Sequence, residues 1–382
     1  MSENKKQHYV PQHYLKGFSQ DGKSLYRYHL DTKKSSQKGI ENLCQESYFY
    51  GKEPELEKVL KEIETKQAPI IRKLIDTQNL ETLKSEEFGF LLLFILLQYT
   101  RTKYAKIMAY KYTDIWVSEF MKPLMKSSNE LKGKGITEEF INSLEITYPE
   151  LYRDNMLTAL LTGRELISDL SPFLIINKTN KDFISSDAPI ILHNSIKYLR
   201  SFAFATPGLQ IFCPLNKNTI FLLIDTNLYN LNTGSTIYLD NDSDVDSINK
   251  LQFFHCHHHV FFSDKETENY VRDLHLEIEE LIKEREVMTR TVQTIRNNDG
   301  SSSEIVETYA RGSNYNLNFT FIKLNHENNK RLKGKYKKLS RTSKVFHLCR
   351  NDEIIERNNI KCRKISELFK YDPQFTIKVN HN

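Results

Sequence analysis

The first residue of the chain that could do chemistry is His8, which opens the aromatic segment His8–Phe18. This segment holds two histidines, two tyrosines and a proline, whereas most N-termini are frayed and chemically plain. Pro11 fixes its own φ and favours extended geometry at Val10. We therefore expect the segment to be tied into the body of the protein, with the His8 side chain held stiffly.

Four side chains are predicted to be catalytic, namely His8, Glu64, Arg101 and Asp187. A histidine can act as a general acid or base, and an arginine can bind phosphate oxygens in a bidentate manner. The two carboxylates could hold a divalent cation, so Mg²⁺ or Mn²⁺ is the cofactor that this set would use. Together these residue types suit the hydrolysis of a phosphoester bond.

The amide side chains of Gln12, Gln98 and Asn249 are predicted to bind the substrate. A structural interpretation stays open beside this one, because buried charges are costly unless they are paired or hydrogen-bonded. In that interpretation, Arg101 and Asp187 form a buried salt bridge that holds a helix against a sheet.

Helices in the first half of the chain must position several of these residues. An apolar stripe predicts an amphipathic helix over residues 54–77, bent or interrupted at Pro69, with Glu64 beside the stripe. A second helix is apolar on all sides, which is typical of a core helix. Gln98 and Arg101 follow its apolar part at i, i+3 spacing, so the two side chains share a face.

The character of the chain then changes, because short apolar runs separated by polar turns predict strands between residues 173 and 224. A helical pattern returns at 244–257. This order predicts an α+β fold, in which a helical N-terminal half packs on a mostly antiparallel sheet. An early strand at Lys23–Leu30 is expected to pair with the first segment and to present His8.

Positive charge is concentrated near the C-terminus. Residues 323–364 contain 14 Lys and Arg against 4 Asp and Glu, although the whole chain carries a net charge of only +5. The run 330–344 contains no acidic residue, which favours contact with nucleic-acid phosphates over a merely solvated loop. The predicted contact residues are Lys330, Arg331, Lys333, Lys335, Lys337, Lys338, Arg341 and Lys344.

A domain boundary is predicted at the polar stretch Asn297–Ser303, whose composition is typical of a flexible linker. The prediction is therefore a core domain at residues 1–295 and a basic C-terminal extension at 296–382, which forms a small α/β appendage.

The histidine run His255–His259 offers a different interpretation, because alternation in a strand would place His257 and His259 on one face as zinc ligands. No second ligand pair at a zinc-finger spacing accompanies them in the sequence. We therefore favour a packed or solvent-facing histidine run.

Three sequence motifs occur in a fixed order. The opening segment fits HYVPQ-x-YL-x-x-F, Gln98–Thr102 fits QxxRT, Phe183–Pro189 fits FxxSDxP, and Asn249 begins a later asparagine-containing helix. With these motifs, residues 7–290 or so resemble a bacterial family known as a domain of unknown function. The resemblance marks out the candidate site residues but implies no particular activity.

The composition of the chain indicates the cellular compartment in which the protein works. With 39% hydrophobic and 27% charged residues, the chain is typical of soluble globular proteins. Met1–Lys6 lacks the apolar core of a signal peptide, and the apolar run Phe88–Leu97 is too short to span a bilayer. Five cysteines without paired spacing fit a reducing compartment. We expect a cytoplasmic protein without a membrane partner.

The function predicted from these observations is a nucleic-acid-directed hydrolase, a nuclease or toxin-like effector that acts on DNA or RNA. A role in bacterial phage defence follows by analogy with orphan bacterial domains. One alternative is a non-catalytic nucleic-acid-binding or sensor protein, and another is a nucleotide hydrolase or transferase. An operon-encoded partner or a homo-oligomer is compatible with each. The sequence contains no Walker loop, serine-hydrolase elbow, HExxH or dinucleotide fingerprint.

Overall fold

The fold is taken from a computed structural model of the chain. The residues that it describes are 6–52, 55–147, 151–196, 204–231, 234–283, 287–296, 302–310, 317–342, 350 and 376–379.

Helices dominate the first half of the chain, as predicted. In chain order the helices are α1 (Gln12–Leu15), α2 (Glu55–Thr77), α3 (Ser85–Thr100), α4 (Lys103–Trp116), α5 (Lys122–Ser127), α6 (Asn129–Gly133), α7 (Glu138–Ser143), α8 (Leu151–Ile167), α9 (Asp242–His255), α10 (Glu268–Lys283) and α11 (His326–Thr342). Short 3₁₀ turns lie at Lys16–Phe18, Ile40–Asn42 and Leu80–Thr82, and a π-helical turn lies at Val117–Met121. No helix in the described ranges is long and apolar enough to cross a membrane.

The strands form one five-stranded sheet, one four-stranded sheet and several two-stranded pairs. In chain order the strands are β1 (Lys6–His8), β2 (Ser24–His29), β3 (Lys34–Gly39), β4 (Gln45–Ser47), β5 (Leu144–Thr147), β6 (Ser171–Asn177), β7 (Ser185–Ser186), β8 (Ile191–His193), β9 (Gln210–Asn216), β10 (Thr219–Ile224), β11 (Tyr229–Asn230), β12 (Thr236–Leu239), β13 (His259–Phe262), β14 (Val287–Arg296), β15 (Ser302–Ala310), β16 (Lys323–Leu324) and β17 (Thr376–Val379).

The five-stranded sheet has the order β12-β6-β10-β9-β8, and the four-stranded sheet has the order β3-β2-β13-β7. The smaller pairs are β1 with β4, β11 with β16, β14 with β15 and β17 with β5. Among the strands that the structure describes, every pairing is antiparallel except the parallel pair of β12 with β6. The predicted α+β fold with a mostly antiparallel sheet is confirmed.

The five-stranded sheet is covered on both faces, as its central strand β10 shows. Phe221 and Leu223 point into one hydrophobic cluster, and Ile220 and Leu222 point into another, because successive side chains of a strand alternate between its faces. Side chains of α1, α2 and α3 complete the first cluster. Those of α9, α10 and the four-stranded sheet complete the second. Burial on both faces explains why the strands are apolar without alternation.

The N-terminal segment is anchored in the first cluster through the buried side chains of Tyr9, Val10 and Tyr14. The sequence had suggested that this segment pairs with β2, but it does not. Instead, β1 pairs with β4, which places His8 opposite Gln45. The expected anchoring is therefore present, but its partner strand is different.

The helix α2 continues through Pro69, so the predicted helix is not interrupted at that residue. Proline removes one backbone hydrogen bond from a helix. The turn beyond it buries Ile70, Ile71 and Leu74, and this burial offsets the loss. Because the helix is unbroken, its polar residues keep regular spacing along one face.

Part of the predicted C-terminal extension packs on the second cluster. Phe319 is buried there, and Leu324 and Leu332 pack against the same cluster. The backbone N–H of Thr320 donates to Asp244 of α9 at 2.8 Å. The strands β14 and β15 pair with each other on either side of residue 297, close to the predicted boundary. The division at residue 295 stays a prediction.

Candidate active site

A pocket of about 390 Å³ lies between the N-terminal segment and one face of α2. Glu57, Lys61, Glu64 and Thr65 line it from the helix. Lys61 follows Glu57 by four residues, and Glu64 and Thr65 follow Lys61 by three and four residues, which places all four on one face. His8 lines the pocket from the opposite side. The uninterrupted helix thus brings a carboxylate-bearing face against the first histidine of the chain.

His8 is held by two contacts at its Nε2 atom. This nitrogen lies 3.3 Å from the carbonyl oxygen of Glu41 and 3.3 Å from Gln12 Nε2. The backbone carbonyl oxygen can only accept a hydrogen bond, whereas the Gln12 amide can turn to present its oxygen instead of its nitrogen. We therefore assign the proton of the neutral ring to Nε2, which leaves the lone pair on Nδ1.

Burial lowers the pKa of His8, and the Glu41 carbonyl and the Glu64 carboxylate oppose this effect only in part. The imidazole is therefore uncharged near neutral pH, where it can accept a proton. These properties fit a general base better than a permanently charged group.

Arg101 is paired with Glu64 and not with Asp187. Its Nη1 atom donates to Glu64 Oε1 at 2.7 Å, and its Nε atom donates to Gln98 Oε1 at 3.0 Å. Burial alone would lower the pKa of Arg101, but Glu64 and Tyr50 raise it overall. The guanidinium is only 1% exposed, so it acts mainly by holding the side chains of Glu64 and Gln98 in place.

Gln98 links this ion pair to the N-terminal segment. The side chain is fully buried, and its Nε2 atom donates to the carbonyl oxygen of Tyr9 at 3.1 Å. On the neighbouring residue, the carbonyl oxygen of His8 accepts a hydrogen bond from the Tyr50 hydroxyl at 3.0 Å. The predicted i, i+3 pair of Gln98 and Arg101 therefore positions the backbone that carries His8. Neither residue is among the described residues that line the pocket.

Asp187 does not share the partners of Arg101, and its contacts are mainly with the backbone. Its carboxylate accepts hydrogen bonds from the backbone N–H groups of His257, His258 and His259 at 2.6, 2.9 and 3.0 Å. Burial would raise the pKa of Asp187, but the His259 ring and these backbone groups lower it overall. Asp187 is not among the described residues that line the pocket. The predicted cleft of His8, Arg101 and Asp187 is therefore not formed.

Asn249 is also occupied by contacts within the fold. Its Oδ1 atom accepts from the backbone N–H of Ile184 at 3.0 Å, and its Nδ2 atom donates to the carbonyl of Asp182 and to the Tyr270 hydroxyl, each at 2.9 Å. The side chain is fully buried. The structure therefore uses Asn249 to tie α9 to the segment before β7, and not to bind a substrate in the pocket.

The sequence of residues 6–266 matches the model of a family described as protein of unknown function (DUF4238). The chain belongs to this family. No curated protein and no solved structure matches the chain. The DUF4238 match contains the whole pocket and the Asp187 turn, whereas the basic helix α11 lies outside it.

The predicted cation pair of Glu64 and Asp187 is not formed either, because the two carboxylates have separate partners. Within the described ranges, no three His, Cys, Asp or Glu side chains are grouped so that they could hold a metal ion. This statement includes the described histidines of the run His255–His259, which the sequence offered as zinc ligands.

Sequence reasoning missed His13, which lines the pocket together with His8. Burial lowers the pKa of His13 to about 4, with Glu64 opposing this effect and Arg101 and Lys16 reinforcing it. Its place in the same motif as His8 was a usable signal. The short helix α1 turns the chain so that both rings reach one pocket.

Residues 330–342 of the basic run belong to the helix α11 and do not form a loop. Lys330, Arg331, Lys333 and Lys335 are exposed, and Leu332 packs on the second hydrophobic cluster. This arrangement presents positive side chains on the outside of a docked helix. Of the other predicted contact residues, Lys337, Lys338 and Arg341 belong to the same helix, and Lys344 lies outside the described residues.

Proposed function

We propose that the protein is a hydrolase that cleaves phosphodiester bonds in nucleic acid, and that the pocket is its active site. The observation that supports this best is the His8 ring, held through Nε2 in a pocket that it shares with the carboxylate of Glu64. An imidazole with a free lone pair is suited to accept a proton during hydrolysis.

In the proposed reaction, His8 Nδ1 takes a proton from the attacking hydroxyl or water as the new phosphorus–oxygen bond forms. The electron pair of the breaking phosphorus–oxygen bond leaves with the departing oxygen. Arg101 is a positioning residue, because it holds Glu64 in place and does not reach the pocket itself. Gln98 and Tyr50 fix the backbone on either side of the His8 carbonyl.

The exposed cations of α11 supply affinity for the substrate in this proposal. Contacts between basic side chains and phosphates strengthen binding without reading sequence. We place such a protein in the cytoplasm, as a toxin-like effector in phage defence. We also propose that the three motifs of the opening segment, α3 and the segment before β8 are signatures of the family.

Two other functions are each favoured by one observation. A nucleotide hydrolase or transferase is favoured by the size of the pocket, since about 390 Å³ is typical of a small-molecule site. A non-catalytic sensor is favoured by Arg101, Asp187 and Asn249, because each is buried and bonded within the fold. These two functions define the alternative outcomes of the experiment below.

The test is cleavage of labelled single-stranded RNA, single-stranded DNA, duplex DNA and free nucleotides by the purified full chain. His8→Ala is expected to lower cleavage by about 10²- to 10⁴-fold, which is the usual contribution of a general base. The matched control is His258→Ala, which also removes an imidazole near a carboxylate but outside the pocket. Full activity of the His8 variant would refute the proposed active site.

The basic helix is tested by the salt dependence of binding to duplex DNA. Changing Lys330 and Arg331 to Ala should reduce the log–log slope by about 1.8, because each phosphate contact contributes about 0.9. The control changes Lys111 and Lys132, which are exposed lysines outside α11. An unchanged slope in the α11 variant would show that this helix does not contact the nucleic acid.

A further inference from the structure

The described residues that line the pocket carry no excess of positive charge. Glu57 and Glu64 contribute two carboxylates, Lys61 contributes an ammonium group, and the guanidinium of Arg101 lies behind Glu64. A site for an anion normally has an excess of cations or of converging N–H donors. Lys6 and Lys16 act on the two pocket histidines from outside the lining, but the described lining residues themselves have no such excess. The lining therefore favours a ligand without net charge.

The two imidazoles in the pocket do not change this balance near neutral pH. Burial lowers the pKa of His8, and it lowers the pKa of His13 to about 4. Both rings are therefore uncharged, and they offer hydrogen bonds without attracting a phosphate. The charged groups that act on His13 are Glu64, Arg101 and Lys16, and Glu64 is already paired with Arg101.

The remaining lining combines neutral polar groups with apolar ones. The Thr65 hydroxyl donates its proton to the Lys61 carbonyl and can accept a hydrogen bond from a ligand. The Gln12 amide adds a second polar group, and Leu60 and Ala68 supply apolar surface. Small-molecule pockets commonly combine an apolar wall with a few polar groups that fix orientation. Such a lining suits a molecule with a flat apolar body and hydrogen-bonding edges.

We propose that this pocket binds the uncharged nucleoside part of the substrate and not its phosphate. The inference rests on the proposed function, which supplies nucleotides as the substrate class. It deepens that function, because phosphate recognition is then left to residues outside the pocket. The pocket would hold a base and its ribose beside His8.

The test is equilibrium binding of adenosine, guanosine, cytidine and uridine to the full chain, measured by calorimetry, with inorganic phosphate as the comparison ligand. At least one nucleoside should bind with an affinity that changes less than about twofold between 50 and 200 mM salt, unlike a phosphate contact. Inorganic phosphate should neither bind in the pocket nor compete with the nucleoside.

Thr65→Val is the informative variant, and Thr77→Val is its matched control. Both threonines lie on α2, and each hydroxyl donates to the carbonyl four residues earlier, at 2.8 Å to Lys61 and 2.7 Å to Lys73. Only Thr65 is among the described residues that line the pocket. Thr65→Val should weaken nucleoside binding about fivefold, as expected for one lost hydrogen bond, whereas Thr77→Val should not.

The outcomes separate this inference from the proposed function. Competition by inorganic phosphate, absence of binding by all four nucleosides, or equal effects of the two threonine variants would overturn the inference. Nucleoside binding without any cleavage of nucleic acid would support the inference and refute the hydrolase. Cleavage that depends on His8 without nucleoside binding would support the hydrolase and refute the inference.

Discussion

Two buried charged groups, Arg101 and Asp187, stand in contrasting surroundings. Arg101 is bonded to side chains, those of Glu64 and Gln98, and Glu64 faces an open pocket. Asp187 is bonded to three consecutive backbone N–H groups and to the ring of His259. Both residues are about equally buried, at 1% and 2% exposure.

The comparison shows that burial of a charge does not by itself mark an active site. Asp187 acts as a fixed anion that holds the turn between α9 and β13, and its hydrogen-bonding capacity is occupied. Glu64 retains 26% exposure beside the pocket and accepts a hydrogen bond from the buried guanidinium of Arg101. A partly open group held by a buried one is the arrangement that suits chemistry.

The largest expected effect on stability concerns Asp187→Ala. This change leaves the backbone N–H groups of His257, His258 and His259 without their acceptor, so the free energy of unfolding should fall by about 3–5 kcal/mol. Urea unfolding of the full chain measures the change. Asp31→Ala is the control, because that carboxylate is 68% exposed, and it should stay within about 0.5 kcal/mol. A stable Asp187→Ala variant without activity would instead assign Asp187 to the active site.

The second prediction is an asymmetry within the ion pair. Glu64→Gln leaves the guanidinium of Arg101 buried without a counter-charge, which should cost about 3 kcal/mol. Arg101→Met leaves Glu64 unpaired, but this carboxylate is partly exposed and can be hydrated, so a cost of about 1–2 kcal/mol is expected. Unfolding of both single variants and of the double variant gives the coupling energy.

Equal costs, or a larger cost for Arg101→Met, would contradict this account of the pair. Either result would mean that Gln98 and the neighbouring tyrosines are sufficient to stabilise the buried guanidinium without Glu64. The same variants separate an effect on stability from an effect on catalysis. If Arg101 has a positioning role, the Arg101 variant should lose more cleavage activity than its loss of folded protein explains.

Some of this site could be predicted from the sequence, because helical spacing is a local property. The face shared by Gln98 and Arg101 follows from i, i+3 spacing, and the position of Glu64 beside an apolar stripe follows from the period of α2. The partner of Arg101 could not be predicted in the same way. It depends on how α2 and α3 pack against each other, which no local pattern contains.

The role of Asp187 was hidden for a different reason. Its partners are backbone N–H groups, and every residue except proline carries one, so they leave no signature in the sequence. The predicted partner of β1 was β2 and not β4, because a three-residue strand has too few side chains to define its partner. The α+β class was predictable because it depends on the order of many elements.

The smallest of the three effects compares one histidine from each region. Burial lowers the pKa of both His13 and His257 to about 4, whereas an unfolded histidine titrates near 6.5. Between these two values, the unfolded chain binds a proton that the folded chain does not bind. The free energy of unfolding should therefore fall as the pH is lowered from about 7 to about 5, by about 2 kcal/mol for His13.

His13→Gln should remove that part of the pH dependence, and His257→Gln should remove a part of similar size, because the pKa of each ring is lowered to about 4. Unfolding measured from pH 7.5 to pH 5 tests this and avoids the range in which carboxylates titrate. A His13→Gln chain with an unchanged slope would mean that the ring titrates in the folded protein as it does in the unfolded chain, near 6.5. The pocket would then gain a positive charge as the pH falls below about 6.5, and its preference for an uncharged ligand would be lost there.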